Sequence, residues 1–139
     1  MRLWHRDLIS YLPRSQLLAQ WRELNLIFKR EPRHILINYI YTDEYKDKVD
    51  LFLYAEQVIN EMKRRHYKVN TNYFDIYFQN VRKPSNVKPF AQYQNDEYLL
   101  ICYHNLKEKF LRGQKDFSQA EFDALTAYAM THNEKNRKQ

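Results

Sequence analysis

Glycine occurs once in 139 residues, at Gly113, against an average usage of about 7%. So small a supply excludes the glycine-rich phosphate loops of Rossmann and P-loop sites, and argues against an all-β barrel or sandwich built on tight turns. Cysteine also occurs once, at Cys102, so no intrachain disulfide can form and no C-x-x-C pair can hold zinc. That usage points to an intracellular, cytoplasmic protein. Long apolar runs are missing too. The opening MRLWHRDLISYLPRS carries Arg2, Arg6 and Asp7 and offers neither a signal peptide nor a membrane span. The mature chain is therefore expected to begin at or near Met1 and to have no membrane partner. Neither H-E-x-x-H nor G-x-S-x-G occurs, and His5, His34, His66, His104 and His132 are scattered, so no metal site is expected.

Buriable surface is abundant. Apolar residues make up 44% and aromatics 16%, with twelve tyrosines and eight phenylalanines, far more than a disordered chain carries. The length suits one compact domain, taken here as residues 1–131 with a polar, basic, frayed tail at 132–139. No heptad is long enough for a coiled coil, and a monomer is expected. Twenty-three Lys and Arg against seventeen Asp and Glu give a net charge of +6 and a pI near 9.3. This balance favours polyanionic partners, although many basic proteins of this size bind none.

The patterning is helical. After Pro13, whose missing N–H costs nothing at a helix start, Leu17, Trp21, Leu24 and Phe28 recur at helical steps until Pro32. Residues 34 to 42, HILINYIYT, suit either a buried strand or a helical turn. A longer helix is expected from Lys46 to Tyr67, with Val49, Phe52, Ala55, Ile59 and Met62 inward and Lys63, Arg64 and Arg65 at its negative end. Val69 to Phe90, with Pro84 and Pro89, reads as an irregular connection packed by its own aromatics. Helical spacing resumes from Tyr98 to Arg112 and closes at Gly113. Ser118 and Glu121 form a capping box that opens a last helix through Phe122, Leu125 and Ala129. The expected fold is mainly α: a single compact domain of three to four helices with irregular connections.

Two features bear on chemistry. Glu23 lies about 130° from the centre of the first apolar stripe, on a face shared with Gln16 and Gln20; such a face is more often solvated helix surface than an active site. Cys102 sits within an apolar helix face, as an inert core thiol would. Basic residues cluster at Lys29, Arg30 and Arg33, at Lys63 to Lys68, at Arg82 to Lys88, and at Lys107, Lys109 and Arg112. Several stand beside aromatics, the pairing that lets rings stack on bases while cations hold phosphates.

Residues 21 to 34, WRELNLIFKREPRH, resemble the pyrimidine dimer DNA glycosylases, the phage-type endonuclease V enzymes that act on ultraviolet lesions. Arg22, Glu23, Leu24, Phe28 and His34 fall at matching spacing, preceded by Leu17 and Ala19. DKVDLFLYAEQVINEMKRRHYKV (residues 47 to 69) is similar to that family's second helix, and NLKEKF (105 to 110) is similar to its third. The opening twenty residues look closer still to uncharacterised bacterial relatives of the group.

The resemblance implies a glycosylase with abasic-site lyase activity on damaged double-stranded DNA, with no cofactor. The chain's own α-amine would attack the sugar C1′, expel the base and form a Schiff base. At pH 7 roughly a tenth to a fifth of a reference α-amine is neutral, against well under a thousandth of a reference lysine. A bulky residue after Met1 blocks methionine removal, so the nucleophile is assigned to the retained Met1, with Arg2 on phosphate. Glu23 would stabilise the cationic sugar and imine and move protons during elimination. Arg22 would hold the kinked duplex, in which the family extrudes the base opposite the lesion. Gln16 stands where the family has a histidine, Leu26 where it has an arginine, and Lys109 at one of its basic positions; Gln16 and Lys109 join the expected DNA contacts. FDALTAYAM replaces the family's aromatic-rich C-terminal DNA clamp. These departures motivate the alternative of a non-catalytic helical DNA-binding protein that keeps the scaffold.

Overall fold

A computed structural model of the chain describes residues 1–82 and 87–137, with side chains through His132. Pro84, much of the basic run Arg82 to Lys88, and the last two residues of the tail lie outside the described residues. Five α-helices, three short 3₁₀ turns and no strand make up the described residues. The helices are α1 (Arg14–Arg30), α2 (Val49–Arg64), α3 (Asn72–Tyr77), α4 (Asp96–Leu111) and α5 (Gln119–Arg137). The fold is mainly α, as the periodicity predicts. HILINYIYT, open between strand and helical turn, forms the 3₁₀ turn Asn38–Tyr41.

Local chemistry sets most helix ends. Pro13 stands at the N-cap of α1 with φ −63°. Its side chain caps nothing, and the carboxylate of Asp116 takes over by accepting from the Ser15 amide at 2.7 Å and its hydroxyl at 2.6 Å. At the end of α4, Gly113 adopts φ +87°. Its amide donates to the Phe110 carbonyl and that of Gln114 to Lys109, the double closure that a left-handed residue makes possible. The capping box of α5 closes reciprocally, with the Ser118 amide donating to Glu121 Oε1 at 3.0 Å and the Glu121 amide to Ser118 Oγ at 3.1 Å. That helix continues to Arg137, into the segment read as a frayed tail.

The expected stripe of α1 is buried in full, as are Ala55, Ile59 and Met62 of α2, whereas Val49 and Phe52 are half-buried at its edge. The segment read as an irregular connection needs a correction: the short α3 forms within it, beside the four long helices α1, α2, α4 and α5. Its six residues, NYFDIY, are weak helix formers. Packing holds them instead, with Phe28 of α1 meeting Phe74 at 6.1 Å, Tyr77 at 5.4 Å and Phe78 at 5.2 Å between ring centroids. Such pairs each contribute about 0.5–1.5 kcal/mol beyond their buried area. One face of FDALTAYAM packs inward: Leu125 and Ala129 are buried, and Phe122 stacks flat on Phe110 of α4 at 4.2 Å.

The N-terminal residues run between these helices without regular structure and then form a 3₁₀ turn, Arg6–Tyr11, capped by His5. Leu3, Trp4 and His5 are all buried. The His5 Nδ1 accepts the Asp7 amide at 3.1 Å, which requires a neutral ring. Burial pushes the imidazole down to about 4, with Arg6 and His132 acting in the same direction and Asp7 against it.

Because the folded value lies below the unfolded one near 6.5, the stability tied to His5 is present above pH 6.5 and lost as pH falls towards 4. The expected loss is on the order of 3 kcal/mol. Urea unfolding across this range should show it, and His5→Asn, which retains an acceptor for the Asp7 amide, should flatten the slope. An unchanged slope in the variant refutes the assignment.

Candidate active site

An extended segment buried among helices needs partners for its amides and carbonyls, because no neighbouring strand supplies them. Side chains do so here. The Trp4 amide donates to Gln20 Oε1 at 2.8 Å, and Gln20 Nε2 donates to the Arg2 carbonyl at 3.1 Å. Tyr54 of α2 donates to the Trp4 carbonyl at 2.5 Å, and its hydroxyl also lies 2.9 Å from Gln20 Oε1. Tyr98 of α4 donates to the Leu3 carbonyl at 2.6 Å. Farther on, the Arg6 amide donates to Gln94 Oε1 at 2.8 Å, and Gln57 to the Arg6 carbonyl at 2.6 Å. The first residues of the chain, ordinarily the most frayed, are thus held from three helices and from the segment preceding α4.

This arrangement corrects the reading of the polar face of α1 as solvated surface. Gln20 is 0% exposed and Glu23 is half-buried. The N-terminal segment covers that face and leaves an open cleft of about 250 Å³ at its end. Met1, Arg2 and Trp4 form one wall, Gln16, Ala19, Gln20 and Glu23 of α1 a second, and Asn105 and Lys109 of α4 a third. Gln114 donates to Gln16 Oε1 at 2.6 Å, so the turn after α4 is bonded to α1 beside the cleft.

The carboxylate of Glu23 accepts from Gln20 Nε2 at 3.3 Å. Its pKa is raised above the ordinary carboxylate value, chiefly by burial; the charge of the Met1 amine, Arg22, the Arg2 amide and His34 all pull the other way. Cys102 is fully buried and its thiol is pushed up by desolvation, so it stands outside this chemistry.

Of the residues singled out in the sequence, Met1, Arg2, Gln16, Glu23 and Lys109 line one cleft. Arg22 does not; it is exposed on the adjoining side of α1 and lines a separate groove. Sequence reasoning placed Gln20 on the face of Glu23 without giving it a role, and it missed Tyr54 and Asn105. A glutamine three residues before a glutamate is a visible pattern, but nothing in it shows that an extended segment lies across it.

Fold and cleft together define a small helical protein that presents its own terminal amine beside a half-buried carboxylate, with cations at the rim. Residues 1–75 match the family model described as pyrimidine dimer DNA glycosylase. That match spans just over half of the chain, and the protein belongs to this family of DNA-repair glycosylases. It includes every cleft residue from Met1 to Glu23, whereas Asn105 and Lys109 lie beyond it. No curated protein and no solved structure matches the chain. Among the described residues no helix is long and apolar enough to cross a membrane.

Two stability measurements follow. Gln20→Leu strips the Trp4 amide and Arg2 carbonyl of their partners and should cost about 2–4 kcal/mol, with early hydrogen exchange at the Trp4 amide. Glu23→Gln should act in the opposite direction. A raised carboxyl favours the folded state only when protonated, so at neutral pH the ionised native group costs stability that the amide does not. A gain of under about 1 kcal/mol is expected at pH 7 after allowance for solvent screening, vanishing below the carboxylate range. Destabilisation at pH 7 contradicts that account of Glu23.

Proposed function

We propose that this chain is a DNA glycosylase and abasic-site lyase acting on pyrimidine-dimer DNA, with the Met1 α-amine as nucleophile and Glu23 as the proton-handling carboxylate. The observation that carries the reading is the pinned terminus: side-chain hydrogen bonds hold Arg2, Leu3 and Trp4 directly after Met1, and Met1 lines the same cleft as a carboxylate of raised basicity. Holding an amine at a fixed site replaces a bimolecular encounter by a positioned attack.

The amine's lone pair attacks C1′ of the damaged nucleotide, the C1′–N bond breaks, and its electron pair leaves with the base, which takes up a proton. The amine loses its protons as the sugar ring opens to an imine on C1′. Glu23 carries negative charge beside the cationic sugar and imine, then removes a proton from C2′. The C3′–O bond breaks and its electron pair leaves with the phosphate; water later releases the amine. A raised carboxyl suits the proton transfer, because its basicity lies closer to the working pH. Arg2 and Lys109 hold flanking phosphates at the rim, with Gln16 beside them, and Arg22 holds the duplex from the adjoining face.

Borohydride reduction on duplex DNA carrying a thymine dimer or an abasic site, with mapping of the crosslinked peptide, tests the assignment. The crosslink is expected at the Met1 amine, and Lys109, the other amine of the cleft, serves as the internal control. Glu23→Gln should reduce strand cleavage by at least about a hundredfold while duplex affinity stays within about twofold. Undiminished cleavage by that variant overturns the role of Glu23. Absence of any crosslink with duplex binding intact establishes instead a non-catalytic DNA-binding protein on this scaffold.

A further inference from the structure

Beyond the catalytic cleft, several clefts set a carboxylate beside their cations: Glu31 with Arg33 and Lys48, Asp47 with Lys48, and Glu61 with Arg64. Those charges are partly neutralised before any anionic ligand arrives. One groove differs. It has a volume of about 390 Å³ and is lined by Arg22, Leu26 and Lys29 of α1 and by Asn70 and Tyr73, with the buried Trp21 at its floor. No aspartate or glutamate lines it.

Two features make this groove a path for a polyanion. First, Arg22 and Lys29 lie seven residues apart on one face of α1, two turns or about 10 Å along the axis. That separation lets the two cations meet different phosphates of one strand, which carries a charge per about 3.4 Å of helix axis. Neither residue makes a direct ion pair among the described residues, although the Arg22 charge is felt by its neighbour Glu23. Second, the Lys29 ammonium rests 4.2 Å from the centre of the Tyr73 ring, which holds the charge at the groove wall, and Tyr73 keeps 44% of its surface exposed. Arg22 is the sequence neighbour of Glu23, so the groove begins where the cleft ends.

We infer that this groove binds the DNA strand flanking the lesion on one side, with phosphates on Arg22 and Lys29 and the deoxyribose against the Tyr73 ring. The inference rests on the DNA-directed reading given above and adds a second contact surface to it. Leu26 and Asn25, whose amide donates to the Trp21 carbonyl, stand between the two cations, so the middle of the groove offers a sugar an apolar contact and a phosphate no cation.

The test compares binding of wild-type protein, Lys29→Gln, Tyr73→Ala and Tyr73→Phe to a long duplex with a central abasic site and to duplexes shortened on either flank. On the long duplex Lys29→Gln and Tyr73→Ala should weaken binding about three- to tenfold, and Lys29→Gln should reduce the slope of log K against log salt by about 1. Both losses should vanish on the duplex shortened on one particular flank, and Tyr73→Phe should bind like wild type. A merely structural effect would weaken binding equally on all duplexes, and that result overturns the inference, as does wild-type affinity and salt slope in both variants. If wild type binds but yields no crosslink, the catalytic reading falls and the groove stands. If wild type binds no duplex, both fall.

Discussion

The structure depends on a buried extended segment that has no neighbouring strand. Residues 2–6 pass between helices, and each buried amide or carbonyl there carries a desolvation cost of about 1–3 kcal/mol unless it is bonded. Gln20, Tyr54, Gln57, Gln94 and Tyr98 meet that need from α1, α2, α4 and the stretch before α4. This explains two fully buried glutamines, Gln20 and Gln94, in a mostly apolar and aromatic core. It also ties the separations between helices to the lengths of particular side chains, so the helices are oriented by polar reach as well as by ridges and grooves.

The cleft is a by-product of the same arrangement. The segment from Met1 to Trp4 leaves part of the polar face of α1 open as a cleft, and Glu23 lies there. Its carboxylate is desolvated enough to be raised, yet opposed by the terminal amine, Arg22 and His34. Whenever that carboxyl is ionised in the folded protein, its desolvation costs stability. Desolvation pushes the buried Tyr54 hydroxyl well above its usual titration range, and it serves the network as donor to the Trp4 carbonyl, while Glu23 is the carboxylate bonded to Gln20.

Much of the fold was legible before the structure because its signals are local. The α1 stripe, the Gly113 closure and the Ser118–Glu121 box each depend on residues within one or two turns. Elements made by distant partners were not. Helix α3 has poor intrinsic propensity and exists through Phe28 and Phe52 packing on its rings. Asp116 caps α1 from a hundred residues away, a pairing invisible to any window of sequence. The polar face of α1 was read as solvated because periodicity identifies a face without telling what lies on it.

The sequence by itself therefore determined the helical class, the apolar faces, the Gly113 closure, the Ser118–Glu121 box and, through the residues around Glu23, the family. Those properties follow from short-range periodicity, from the hydrogen bonds of neighbouring residues and from a motif. Only the tertiary structure decided that Met1, Arg2, Gln16, Glu23 and Lys109 share one cleft while Arg22 faces another groove. The physical reason is that an extended segment has no periodicity of its own: its path is chosen by which buried side chains can satisfy its backbone, and those side chains come from distant parts of the chain.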